Sequence, residues 1–282
     1  MVDVRQSIHY ANYLKRIGWT VERIGEINYF LRKFPLIGSV LKVQRPEEIN
    51  RDVIDKISRK YRVFQVIIEP KTELDAKYLV SIGFKLSQKP YLPSRTLQID
   101  LTQSQKEIFR HFKKDSRSIL LKALSGGGRG ADIRQCLAPD EIVKWREAWK
   151  NSVNFKRYVP PAVQLLNLRK SFPGNYSLFL TSHNISGRII GGVLFTRSLH
   201  DFAYYWYGFT NKEGRASLSQ YSLLYQGILW AKKHGVKVFD FEGVYDPRFP
   251  DKSWLGFSHF KRSFGGYEVE YPGCYTKFRL AL

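Results

Sequence analysis

The segment 238–266 carries the densest set of groups able to do chemistry. A short apolar run of Val238, Phe239 and Phe241 is interrupted by two acids, Asp240 and Glu242, and ends at Gly243. This pattern predicts a buried strand with carboxylates beside it. The steps Asp246-Pro247 and Phe249-Pro250 then impose an extended loop. A short helix follows, in which Trp254, Phe257, Phe260 and Lys261 fall at i, i+3, i+6 and i+7 and share one broad face. Gly265-Gly266 stops it. A lysine among large rings has two readings: its stem snorkels along an apolar face, or the ammonium itself is functional. Asp100 is next to last in a predicted strand, 97–101, and two residues before Thr102, where it reads as a carboxylate at a helix start. No Ser-His-Asp or Cys-His arrangement emerges.

Composition narrows the partners. The chain has 282 residues, 43% hydrophobic and 15% aromatic, which supplies core for two domains and argues against disorder. Lys and Arg number 46 against 25 Asp and Glu, a formal charge of +21. That excess predicts a polyanionic partner: nucleic acid, anionic lipid or a phosphorylated substrate. Two distant cysteines, Cys136 and Cys274, form neither a disulfide framework nor a metal cluster, so a reduced, cytoplasmic setting and no metal are expected. The N-terminus lacks the pattern of a signal peptide, and no apolar run approaches a membrane span. Any membrane role is therefore peripheral, at the inner leaflet.

The elements that must position these groups follow from periodicity. A helix is predicted over 6–17, a strand over 19–30 paired with one over 36–43, and a helix starting at Arg45-Pro46-Glu47-Glu48. A strand at 64–68, a helix from Thr72 and the strand 97–101 follow. Thr102 and Gln105 read as a capping box opening one long helix. Its Lys106, Arg110, Lys113 and Arg117 would form a narrow basic stripe suited to phosphate. The glycine-rich stretch 125–130 lacks a P-loop ending and reads as a turn or flexible connection. In the second half a helix through Trp145 and Trp149 precedes a basic aromatic stretch, Phe155-Lys156-Arg157-Tyr158. Strands at 176–182, 189–197 and 202–209, a loop at 211–216 and a helix at 218–234 then lead to the Val238 strand. This order is similar to the heart of the acyl-CoA N-acyltransferase (GNAT) fold, where a loop before the helix holds a pyrophosphate. Asn211 replaces the usual first residue of that loop, so the match is partial. The first half repeats the order, and two tandem GNAT-like subdomains, an α/β (α+β) fold, are expected.

Motifs spread over the chain resemble the Fem aminoacyltransferases (FemA, FemB and FemX type). They include Gln6-Ser7, Gly18-Trp19, the stretch 93–101, Lys114-Asp115-Ser116-Arg117 and Tyr205-Trp206-Tyr207-Gly208. Trp230-Ala231-Lys232-Lys233-His234-Gly235, Phe239-Asp240-Phe241-Glu242-Gly243 and Phe260-Lys261-Arg262-Ser263-Phe264-Gly265-Gly266 are the most specific. The resemblance implies transfer of an amino acid from aminoacyl-tRNA to the stem peptide of a UDP-linked or lipid-linked muramyl pentapeptide, without a cofactor. It implies a short, armless member: an N-terminal subdomain 1–137 plus 273–282, a C-terminal subdomain 138–272, and a substrate cleft between them. Lys261 would act electrostatically on the tRNA 3′ end or the tetrahedral intermediate, and Asp100 on the acceptor amine. Tyr205, Tyr207, Lys156, Arg157, Lys15 and Phe260 would contact substrate; the basic stripe would contact tRNA. The alternatives are an acyl-CoA-dependent N-acyltransferase and a non-catalytic RNA-binding protein.

Overall fold

The computed structural model describes residues 1–124, 132–154, 157–199 and 201–279. Among the described residues thirteen strands form two sheets. The first contains β1 (Thr20–Ile24), β2 (Ile27–Phe34), β3 (Gly38–Gln44), β4 (Val63–Glu69), β5 (Lys85–Leu86) and β13 (Tyr275–Phe278), ordered β1-β2-β3-β4-β13-β5. The second contains β6 (Arg95–Asp100), β7 (Asp132–Gln135), β8 (Ser177–His183), β9 (Ile189–Arg197), β10 (Phe202–Thr210), β11 (Val238–Gly243) and β12 (Tyr267–Glu270), ordered β12-β6-β11-β10-β9-β8-β7.

The two sheets repeat one plan. In each, an antiparallel meander (β1-β2-β3 or β8-β9-β10) passes through helix to a strand parallel to its last member. Around the first sheet lie α1 (Ile8–Arg16), α2 (Arg51–Lys60) and α3 (Glu73–Ser81). The crossover from β3 to β4 is α2, whose apolar side meets the sheet through Ile54 and Ile57. The chain then gives α4 (Gln105–His111), α5 (Lys114–Leu124), α6 (Pro139–Ser152), α7 (Ala162–Ser171), α8 (Lys212–Ala216), α9 (Ser219–Lys233) and α10 (Leu255–Arg262). In the second sheet the crossover from β10 to β11 is α8 and α9. Each sheet also admits a strand from outside its own run of chain: β13 enters between β4 and β5, and β6 between β11 and β12. Two compact units result, one of 1–96, 243–255 and 268–282, the other of 97–242 and 256–267. Residues 97–124 and 132–137, which sequence reading placed in the first half, lie in the second unit because β6 and β7 are strands of its sheet. The final strand pairs antiparallel with β4, Tyr275 opposite Ile68.

Three local expectations are corrected. The strand predicted over 19–30 is a hairpin, β1 and β2, because Gly25 at φ +57 lets the chain reverse. The helix predicted from Pro46 begins at Arg51 instead. Arg45 is held at φ +47, buried against Asp3, and Asn50 supplies the cap by accepting from the Val53 amide. The long helix from Thr102 is two helices. Ser104 and Glu107 form the capping box of α4, and Phe112 leaves helical geometry at ψ 146 to pack among Phe109, Tyr225 and Phe264. A buried aromatic cluster outweighs one continuous turn of helix here.

Candidate active site

The parallel pairs of the two sheets differ at their ends. The ladder between β3 and β4 runs from Ser39 opposite Val63 to Gln44 opposite Glu69, and Arg45 extends it by donating its amide to the Glu69 carbonyl at 2.7 Å. The ladder between β10 and β11 holds only from Phe202 opposite Val238 to Tyr204 opposite Asp240. Past that point β10 bulges: Tyr205 pairs with Phe195 and Tyr207 with Leu194, leaving Trp206 as the extra residue. On β11, Glu242 adopts φ +59, a conformation costly for a residue with a Cβ. The Asp240 carboxylate braces it by accepting the Glu242 amide at 2.6 Å and the Gln98 side-chain amide at 2.9 Å.

Lys261 lies beside both diverging strands. Its ammonium is 5.6 Å from the Tyr205 ring centroid and 5.0 Å from that of Phe257, and the residue is only 8% exposed. Burial lowers its pKa to about 8 from the ordinary 10.5, although the charges of Glu242 and Asp240 pull the other way. Burial likewise raises the Tyr205 hydroxyl to about 12, opposed by a hydrogen bond from Gln220 and the charge of Arg157. Gln220 donates to that hydroxyl at 2.9 Å. The other end of its amide, Oε1, is buried and has no hydrogen-bond partner among the described residues. Gly208 makes room for this arrangement, since a Cβ there would stand 1.9 Å from the Tyr205 hydroxyl oxygen. Gly265 and Gly266, at φ +72 and +89, lock the end of α10. A Cβ on them would lie 2.4 Å from the His111 carbonyl oxygen and 2.2 Å from that of Gln98.

The structure thus brings Lys261 to Tyr205, whose hydroxyl also feels the charge of Arg157. Gln220 and Glu242 join them, and sequence reading had not named either as a site residue. Glu242 was visible as an acid in an apolar strand, but Gln220 sits in a helical pattern with nothing to mark it. Tyr207 does not join. The bulge sends it to the other face of the sheet, where its ring lies 5.1 Å from Trp149. Phe260 packs edge-on against Tyr221 at 4.9 Å. Asp100 accepts from both the amide and hydroxyl of Thr102, at 2.8 and 2.7 Å, and those bonds lower its pKa. It therefore holds a cation more readily than it takes a proton. Lys15 is exposed on α1 in the first unit. Lys156 and the glycine-rich stretch 125–130 lie outside the described residues.

The basic stripe is also redrawn. Lys106 and Arg110 are exposed on α4 and Lys113 follows the break, but Arg117 reaches from α5 to donate to the Arg110 carbonyl at 2.6 Å. Arg117 caps the end of α4. The loop at 211–216 is a short helix, α8. Asn211 caps it by accepting the Gly214 amide at 2.8 Å, and the Arg215 amide bonds the Asn211 carbonyl at 3.0 Å. Those amides are spent internally rather than presented to a pyrophosphate. A cavity of about 590 Å³ in the first unit is lined by Tyr91, Tyr245, Phe249, Trp254, Lys89 and Lys252, among others. Among the described residues no group of acids, histidines and cysteines could hold a metal, and no helix is long and apolar enough to cross a membrane.

Two open sheets of the same order, each with a helix between meander and parallel strand, define a tandem GNAT-like α/β fold. More particularly, the fold is of Fem type. The chain is similar to the crystal structure of FemX with a TM-score of 0.81 and 17% identity, covering 98% of this chain and 92% of that one. It is also similar to the C-terminal domain (DUF2156) of a putative lysylphosphatidylglycerol synthetase from Agrobacterium fabrum. There the TM-score is 0.62, with 11% identity and 97% and 88% coverage. A tandem GNAT protein from the clavulanic acid biosynthesis pathway aligns with a TM-score of 0.54, 11% identity and 91% and 81% coverage. No family sequence model matches the chain, and no curated protein matches it in sequence.

Proposed function

We propose that this protein is a Fem-type aminoacyltransferase. It moves an amino acid from aminoacyl-tRNA onto the stem-peptide amine of a peptidoglycan precursor, in the cytoplasm. The observation that carries the proposal is Lys261, a buried cation whose pKa burial lowers to about 8, placed where β10 and β11 part. The Fem-type fold and the Phe260-Lys261 motif support the same reading.

The chemistry needs little from the protein beyond placement and charge. The aminoacyl ester is already activated, so the free acceptor amine attacks its carbonyl carbon directly. A C–N bond forms and the carbonyl oxygen takes up negative charge. The Lys261 ammonium, desolvated among rings, stabilises that oxyanion more strongly than an exposed lysine would. Collapse breaks the ester C–O bond, the tRNA ribose hydroxyl leaves, and the proton lost by the amine ends on that oxygen. Asp100, ionised by its bonds from Thr102, is assigned to hold the acceptor ammonium before it deprotonates. The Tyr205 hydroxyl and the buried end of the Gln220 amide are assigned to the aminoacyl group, since both are polar and held beside Lys261. The exposed Lys106, Arg110 and Lys113, together with the +21 charge, supply phosphate contacts for tRNA.

The test is a transfer assay with purified protein, a pool of tRNAs charged with labelled amino acids, and a UDP-linked muramyl pentapeptide, read by mass shift with and without ribonuclease. A ribonuclease-sensitive shift is expected and names the amino acid. If UDP-linked and lipid-linked acceptors both stay unmodified while an acyl-CoA donor works, the proposal fails.

A further inference from the structure

One end of the first sheet is apolar at its tip and basic around it. The turn between β2 and β3 reads Phe34-Pro35-Leu36-Ile37. Leu36 is fully exposed, Ile37 is 61% exposed and Phe34 is 42% exposed. Single exposed apolar residues are ordinary, but three on one turn are not. The turn is also held stiffly. The Ile37 amide bonds the Pro35 carbonyl at 2.8 Å, and Leu36 sits at φ +65. Left-handed backbone is unfavourable for a bulky residue, and glycine would relieve it. The fold therefore maintains a leucine aimed at solvent at a cost.

The neighbours along that end are cations. Strand registers place the start of β4 and the end of β13 beside the turn. Ser39 donates to the Arg62 carbonyl at 3.0 Å, Phe278 pairs with Gln65, and Arg279 donates its amide to the Phe64 carbonyl at 2.8 Å. Lys33 and Arg62 are exposed there, and Phe278, 71% exposed, adds a further ring. The carboxylates that reach this end are already engaged: Glu22 by Lys60 and Tyr61, and Asp55 by Arg279 and Arg51. An apolar tip ringed by positive charge matches a surface that is apolar within and anionic at its face.

We propose that this end of the first sheet docks on an anionic phospholipid bilayer, with Phe34, Leu36 and Ile37 entering the acyl boundary and Lys33 and Arg62 meeting headgroup phosphates. RNA would also attract the cations, but phosphate contact gives a fully exposed leucine nothing to bury against. The inference is independent of the transfer reaction.

The test is co-sedimentation of the full chain with vesicles of phosphatidylcholine alone or of phosphatidylcholine and phosphatidylglycerol in equal parts. Binding is expected only with the anionic lipid. Leu36→Gly with Ile37→Ser should lower the partition coefficient about tenfold or more. The double variant should melt close to the parent, since both side chains are exposed and glycine relieves the left-handed backbone at 36. Lys33→Ala with Arg62→Ala should also weaken binding and flatten its salt dependence. Failure to bind anionic vesicles overturns the proposal. So does a result in which the apolar variant binds them as the parent does while the charge variant loses affinity for a single-stranded oligoribonucleotide, which would assign the edge to RNA.

Discussion

Each unit buries a cation near the end of its parallel strand pair, and the two are handled in opposite ways. Arg45, 2% exposed, closes the first pair. Its guanidinium bonds Asp3 at 3.1 Å and the Pro93 carbonyl at 2.8 Å and stacks 3.7 Å from the Tyr271 ring. Asp3 also takes Arg5 at 3.2 Å. Burial pushes the Asp3 carboxyl up, but the two guanidiniums outweigh it and hold the pKa below the ordinary aspartate value. In the second unit the ladder opens, and Lys261 keeps a pKa lowered by burial that Glu242 and Asp240 only partly offset. The same supersecondary plan thus yields a guanidinium that holds its aspartate's pKa down in one copy and a lysine whose own pKa burial lowers in the other. Groups with such shifted pKa values are where catalytic function concentrates.

The contrast can be broken most sharply in the first unit. Asp3→Ala leaves two buried guanidiniums without their carboxylate, and urea denaturation should show a loss of about 3–5 kcal/mol. The native Asp3 should make stability fall as pH drops below the ordinary aspartate range, because its folded pKa is depressed and its contribution is full only above the unfolded value.

Lys261→Met should tell on the reaction instead. Transfer should fall about 10²–10³-fold, as when one oxyanion donor is removed. The variant's stability should also lose the parent's dependence on the charge state of this side chain, whose pKa burial lowers from 10.5 to about 8. Below about 8 both folded and unfolded lysine are protonated and the cost of burying the charge is full. Between about 8 and 10.5 the folded form sheds its proton, so parental stability should rise with pH across that window and the variant's should not. If the ammonium is the working species, the rate should carry an alkaline limb near pH 8. A variant equally active and with the parent's pH dependence of stability would dissolve the distinction between the two cations.

Smaller effects should come from the strain and the surface. Glu242→Gly relaxes the φ +59 backbone and should stabilise the fold by about 1 kcal/mol. It also removes a carboxylate that holds up the Lys261 pKa, so the alkaline limb should move to lower pH. Replacing Arg110 or Lys113 with alanine should leave stability unchanged and reduce the salt slope of tRNA binding by about one ion each. Arg117→Ala should instead loosen α4, because its side chain serves the Arg110 carbonyl.

Read alone, the sequence carries the tandem plan and most of the alternation of strand and helix. Those depend on local periodicity and on glycine, and Gly265-Gly266 ends α10 as the pattern predicts. Local pattern failed where a buried contact overruled it. Phe112 broke a helix to reach its aromatic cluster, and Arg45 delayed one to reach Asp3. The placing of β6 was equally invisible, because nothing within residues 95–100 says which sheet they will join. The site shows the same division. The sequence placed Lys261 among large rings, as the structure does, but nothing in it marked Gln220, and Tyr205 and Tyr207 are equivalent in an alternating strand until one bulged residue turns them to opposite faces. A displacement of one residue reverses a side chain's direction, and the packing of β10 against β9 decides it.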